Sequence, residues 1–155
     1  LSVGITSSCE LFSVELTENL TCEKFLNNLN NALPPVIRIA SVTTEPVDFN
    51  AITWADYEII PENQITDEQI RKFLLFEEIF MDKKTKKGIK ETNIRNYISR
   101  ISLDGDKILM TLSAGNSANL KPMLAVDAIN KYCNTDLGFC SYHRTAFRNS
   151  AGDVI

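Results

Sequence analysis

From Glu10 to Leu16 apolar residues alternate with polar ones, Leu11 aside, which predicts a half-buried strand. Thr17 to Thr21 then supplies turn and capping residues. Phe25, Leu26, Leu29 and Leu33 recur at the spacing of one helical face, and Pro34-Pro35 stops the run, so a helix capped by Thr21 is expected over about Cys22 to Leu33. Val36 to Thr44 alternates again through Ile37, Ile39 and Val42, and Trp54 to Ile60 is a short β-rich run ending at Pro61; both predict strands. Thr66-Asp67-Glu68-Gln69 opens a second helix, with Thr66 as N-cap and Gln69 at the capping-box position. Ile70, Phe73 and Leu74 form its apolar face, and its end is expected near Phe76.

Glu78 to Met81 and Gly88 to Ile94 read as strands on either side of a polar turn, Lys83-Lys84-Thr85-Lys86-Lys87-Gly88. Tyr97 to Leu103 and Lys107 to Leu112 flank Asp104-Gly105-Asp106, where Asp-Gly signals a hairpin. After Ser113-Ala114-Gly115-Asn116-Ser117 a helix is expected from about Lys121 to Tyr132, with Pro122 in its first turn and Met123, Leu124, Ala128 and Ile129 buried. A last strand is expected near Phe139 to Phe147. The pattern defines an α+β protein with antiparallel sheet or sheets and three helices on one face. Strand, helix, strand occurs at 9–44 and again at 107–147, an order compatible with a duplicated split β-α-β, ferredoxin-like arrangement, although no residue-level repeat accompanies it.

With 155 residues, 44% hydrophobic and 23% charged, the chain is expected to bury one core as a single domain, 1–155. It holds no run of eighteen or more apolar residues and no charged segment followed by an apolar one at its start. A soluble cytoplasmic protein is therefore expected, with no membrane partner. Leu1 in place of Met, in a segment that looks like a strand end, leads us to expect further residues upstream. Cys9, Cys22, Cys133 and Cys140 lack the local spacing of a zinc or iron-sulfur site, so buried reduced thiols and no metal are expected. A long-range pairing of Cys9 or Cys22 with Cys133 or Cys140 would need an oxidising compartment that nothing else in the sequence suggests.

Charge is distributed unevenly. Residues 1–82 hold four basic and fourteen acidic side chains, residues 83–100 seven and one, and residues 101–155 five of each. Lys83, Lys84, Lys86, Lys87 and Lys90, joined by Arg95 and Arg100, are suited to neutralising phosphates of RNA, with Tyr97 offering a stacking surface. The competing explanation is a solvated hairpin whose lysines protect a sheet edge. An acidic docking surface on a partner is a third use of the same charge. Gly115, Asn116, Ser117 and Lys121 precede a helix N-terminus that could hold an anion, but they match no phosphate-binding motif, and a plain strand-to-helix loop is the favoured explanation. His143, the single histidine, stands beside Arg144 on the last strand, and alternation sends the two to opposite faces. Asp104 and Asp106 suit a turn, Glu77 and Glu78 an exposed junction, and no GxSxG, HExxH or Cys-His pairing is present.

Several segments taken in order carry a resemblance: Leu1-Ser2-Val3-Gly4-Ile5-Thr6-Ser7 with Glu10, Phe25 to Pro34, Ala55-Asp56-Tyr57, Asn93 to Ile98, Leu112-Ser113-Ala114-Gly115, Leu120-Lys121-Pro122 and His143-Arg144-Thr145. In this order the chain resembles a family of bacterial radical SAM-linked proteins. The resemblance implies a domain that stands alone or is fused to B12-binding radical SAM proteins, in the setting of RNA or ribosome maturation. Cys9-Glu10 departs from a Gly-Glu of that family, and the family's His- and Arg-rich N-terminal segment is missing.

The first expectation is therefore a non-catalytic binding domain, without a cofactor of its own, that presents RNA or a ribosomal substrate to a radical SAM partner. A protein-protein adaptor without RNA binding and an RNA-modifying enzyme with catalytic residues upstream are the alternatives. The first predicts that the lysine hairpin shares a face with Arg95 or Arg144, the adaptor an exposed apolar patch, and the enzyme a pocket with a raised carboxylate.

Overall fold

A computed structural model describes residues 3–85 and 88–155. The chain forms two compact units, one of residues 11–48 and one built from the chain before and after it. The regular elements are β1 Ile5–Ser7, α1 Cys22–Ala32, β2 Trp54–Pro61, α2 Asp67–Leu74, β3 Phe80–Thr85, β4 Gly88–Asn93, β5 Ile98–Asp104, β6 Lys107–Ser113, α3 Pro122–Cys133 and β7 Cys140–Arg148. The fold is α+β, as the periodicities required.

The smaller unit contains α1, whose N-cap Thr21 accepts a hydrogen bond from the Lys24 N–H at 3.3 Å. The strands expected at Glu10–Leu16 and Val36–Thr44 are absent. Alternation fixes which side each residue faces but supplies no ladder partner. At Ile39 the partner is a side chain: the Asn30 amide accepts from its N–H at 2.8 Å and donates to its C=O at 3.0 Å. A backbone so satisfied has no need of a neighbouring strand.

The larger unit is built on a five-stranded sheet ordered β1-β7-β2-β6-β5. Every pair is antiparallel except β1 with β7, which makes the sheet mixed rather than purely antiparallel. On the core face β2 contributes Ala55, Tyr57 and Ile59, and β6 contributes Ile108, Met110 and Leu112, all buried. These meet Ile70 and Phe73 of α2 and Ala125, Val126, Ala128 and Ile129 of α3 in one cluster. Burying each larger aliphatic or aromatic side chain contributes roughly 1.5–3 kcal/mol. The expected face of α3 is shifted slightly: Ala128 and Ile129 are buried as expected, Met123 and Leu124 are only partly buried, and Ala125 and Val126 join the core instead. The helix α2 has the full capping box at Thr66 and Gln69 and ends at Leu74, two residues earlier than its pattern suggests.

Both β6 and β7 run antiparallel to β2 and so parallel to each other, with β2 between them and α3 as the connection. This is one split β-α-β unit. The duplicate is not found, because α1 is the only helix or strand between Cys9 and Thr44. Two of the three helices, α2 and α3, cover the apolar face of this sheet, while α1 belongs to the smaller unit.

Hairpin β5–β6 closes at Gly105-Asp106, with Gly105 at φ +59° and Asp104 paired to Lys107. The loop is thus Gly-Asp, with the positive φ at its first residue as a type II′ turn requires, rather than the Asp-Gly suggested by sequence.

Candidate functional site

Strands β3 and β4 form a separate two-stranded ribbon. Lys83 and Lys84, expected in a turn, lie on β3, because the ladder continues through Lys83–Lys90, Lys84–Ile89 and Thr85–Gly88. The expected turn residues Lys86 and Lys87 lie outside the described residues. The ribbon sorts its charges by face: Lys83 stands opposite Lys90, while Asp82 stands opposite Glu91 on the other side, next to Lys84. Lys83 bonds the Asn119 carbonyl, and its ammonium lies over the Tyr97 ring, 4.8 Å from the centroid. Lys84 and Lys90 are exposed.

Arg95 does not join the lysines. Its guanidinium donates to the carbonyls of Leu74, Phe76 and Ile98 at 3.4, 3.2 and 3.2 Å, closing the C-terminal end of α2 where a cation is favoured. Gly115 sits in a tight loop against the backbone of Ile52 and Thr53, and Asn116 donates to the Asn50 side chain at 3.1 Å. Ser117 and Lys121 are exposed, and Pro122 at the first position of α3 removes one of the N–H groups an anion would use.

His143 and Arg144 do face opposite sides. His143 is paired with Glu58 across the ladder, and its Nδ1 lies 2.7 Å from the Thr6 hydroxyl. Arg144 turns to the core side, donating to the Tyr57 phenolic oxygen at 3.3 and 3.2 Å and to Glu10. Burial opposes the charge of Arg144, yet Tyr57 and Glu10 more than offset it and raise the guanidinium pKa. Neither Arg95 nor Arg144 therefore carries its charge to the lysine face.

The polar face of the five-stranded sheet was not singled out in the sequence. Opposite the buried Ala55, Tyr57 and Ile59, strand β2 presents Trp54, Asp56 and Glu58. Asp56 accepts from Thr111 at 2.7 Å and from the Arg148 Nε at 2.7 Å, and its carboxylate raises the Arg148 pKa. Lys107 donates to Glu58 at 2.8 Å and lowers the Glu58 pKa. Above this face lies a cavity of about 580 Å³ walled on one side by Ser150, Ala151 and Gly152. The alternation of Trp54-Asp56-Glu58 with Ala55-Tyr57-Ile59 was legible as a sequence signal. What lies beside it depends on the register of β5, β6 and β7.

All four cysteines are free, Cys140 buried and the others half-buried. Burial raises the thiol pKa of Cys9, Cys133 and Cys140, which keeps these sulfurs protonated at neutral pH. Among the described residues no group of three or more His, Cys, Asp or Glu side chains is placed to hold a metal ion. No helix among them is long and apolar enough to cross a membrane.

The molecule is thus an α+β protein with a helix-covered sheet, an open polar face and a basic ribbon. It belongs to the bacterial family described as "Uncharacterized protein conserved in bacteria (DUF2344)", which it matches over residues 1–122. That span stops at the first residue of α3, so the strand β7, which lies between β1 and β2 in the sheet, is beyond it. No curated protein and no solved structure matches the chain.

Proposed function

We propose that this chain is a non-catalytic binding domain whose β3–β4 ribbon holds the phosphate backbone of an RNA, in the service of a radical SAM enzyme. The observation that supports this reading is Lys83 standing directly opposite Lys90. Like charges facing across a ladder repel and destabilise a ribbon, and a bridging phosphate relieves that repulsion. The exposed Lys84 and Lys90 and, by sequence, Lys86 and Lys87 add cations to the same hairpin. The radical SAM partner is supported by the resemblance to bacterial radical SAM-linked proteins, and the cytoplasm is the compartment in which such a partner would work.

The test is RNA binding by the full-length protein titrated with salt, for wild type and Lys84→Glu/Lys90→Glu. Lys83 is left unchanged because it holds Tyr97 and Asn119. Wild type is expected to bind with a steep salt slope, and the double variant to bind more weakly with a slope shallower by about 1–2. Equal affinity and slope in both proteins would sink the RNA reading. The second reading, a protein-protein adaptor, draws on the exposed Leu75, at 80% exposure, and Phe139, at 79%. Pull-down with a radical SAM partner, lost in Leu75→Glu or Phe139→Glu and kept in the lysine variant, is its expected signature.

A further inference from the structure

Two β-bulges on strands at different places in the sheet meet one cavity. The register between β5 and β6 shifts between Ile98 and Arg100, leaving Ser99 unpaired, and that between β2 and β7 shifts so that Thr145 is unpaired. Ser99 and Thr145 both line the cavity on the polar face. A bulge redirects side chains and increases the local twist, so two of them shape a hollow on a sheet that would otherwise be a continuous polar surface.

The far wall is a built turn rather than a loose tail. The Asn149 side chain accepts from the N–H groups of Ala151 and Asp153 at 2.9 Å each, and Arg148 donates to the Gly152 carbonyl at 2.7 Å. Val154 then bridges back to Arg148. With Gly152 at φ +93°, the backbone of this turn is held against the cavity at a conformation glycine adopts without strain.

The charges on the cavity wall are matched except for one. Asp56 is taken by Arg148, and Glu58 by Lys107. Arg100 is exposed, lines the cavity and has no hydrogen-bond or ion-pair partner among the described residues. Trp54, the chain's single tryptophan, lines the same cavity and is half-buried. Through the ladder Arg100–Thr111–Asp56, Arg100 stands two strands across and Trp54 two residues along, a backbone separation of about 10 Å by about 7 Å from which the side chains reach inward.

We propose that this cavity binds a nucleotide, its phosphate paired with Arg100, its base against Trp54 and its sugar hydroxyls met by Ser99, Ser102 and Thr111. Guanidinium and phosphate match in a two-point hydrogen-bonded geometry, and an indole offers a flat surface to any base. The phosphate with its base comes either as a free mononucleotide or as one unit of an RNA strand. The proposal stands apart from the lysine ribbon, which shares none of its lining residues.

Trp54 makes the site its own reporter, and the test is a titration of its fluorescence in the full-length protein. The probes are AMP, CMP, inorganic phosphate and a short single-stranded RNA, each added to wild type, Arg100→Ala and Lys84→Glu/Lys90→Glu. A saturable change with AMP or CMP, weakened roughly tenfold or more in Arg100→Ala and kept in the lysine variant, is the expected result. Saturation by the RNA at lower concentration than by either mononucleotide assigns the site to a strand, and the reverse order to a free nucleotide; both uphold it. Arg100 is exposed on the last strand of the sheet, so its variant is expected to keep the wild-type melting temperature, which is checked in parallel. No saturable change with any nucleotide or RNA, an identical curve with inorganic phosphate alone, or unaltered binding in Arg100→Ala overturns the assignment.

Discussion

Arg144 carries its guanidinium over the ring of Phe147, 4.8 Å from the centroid, although the two stand three residues apart on one strand. Strict alternation would put them on opposite faces. The unpaired Thr145 between them restores the match: Tyr57 faces Arg144 while Ala55 faces Phe147, and both pairs lie on the core side. One inserted residue thus brings a cation onto a largely apolar face, where Tyr57, Phe147 and Glu10 surround it.

The Arg144 side chain is only 13% exposed, so its removal leaves Tyr57 and Glu10 without their partner. Arg144→Met is expected to lower the stability of the protein by about 2 kcal/mol in urea denaturation. Arg144→Lys recovers part of this at most, since an ammonium lacks the fixed fork of donors with which the guanidinium reaches both Tyr57 and Glu10. A variant as stable as wild type would mean that the cluster contributes nothing.

Gly138 and Gly105 both have positive φ, +65° and +59°, but their surroundings differ. A Cβ at Gly138 would come within 2.7 Å of the Glu62 carboxylate, which itself accepts from the Phe139 N–H at 3.1 Å. At Gly105 nothing lies within 4 Å. Gly138→Ala is therefore expected to cost about 2 kcal/mol, combining backbone strain with the displaced hydrogen bond. Gly105→Asn should cost well under that, because Asn tolerates the left-handed region. Thermal melts of the two variants side by side read the difference.

At the start of α2 the Thr66 hydroxyl accepts from the Gln69 N–H at 3.3 Å, and the Gln69 side chain accepts from the Thr66 N–H at 3.0 Å. Thr66→Ala is expected to destabilise the protein by about 1 kcal/mol, and Thr66→Ser to restore most of it. Hydrogen exchange localises the effect, with faster exchange at Gln69 and Ile70 as the outcome that ties it to the cap.

The Glu58–Lys107 pair gives a pH signature. The hydrogen bond from Lys107 lowers the Glu58 pKa, aided by the Lys107 charge and by His143. The same bond raises the Lys107 pKa. A depressed carboxylate contributes stability above its unfolded pKa of about 4.3, lost as pH falls through the folded value; a raised lysine contributes below about 10.4, lost as pH rises. The contribution is therefore full between those limits. Both side chains are a third or more exposed, so it is small and screened by salt. Glu58→Gln should melt slightly below wild type at pH 7 in low salt, with the gap closing at pH 3 and in 1 M NaCl. A gap that persists at pH 3 would point to packing rather than charge.

Where the determinants are local, the sequence alone was enough. Thr21 and Thr66 as caps, Pro122 at the first turn of α3, and the apolar spacing of α1 and α2 each act within one turn of helix, so they are legible without knowing the neighbours. The strands β2, β5, β6 and β7 were likewise legible, because their alternation matches a sheet with one covered face. The tertiary structure decided the rest. Glu10–Leu16 and Val36–Thr44 alternate as well as β2 does, yet a strand exists only where another offers its N–H and C=O groups, and at Ile39 Asn30 took that place. Arg95 read as a free cation until the carbonyls at the end of α2 claimed it. The cavity with Trp54 and Arg100 depends on two bulges and a terminal turn brought together from distant parts of the chain, and no local pattern encodes a register shift between strands that far apart.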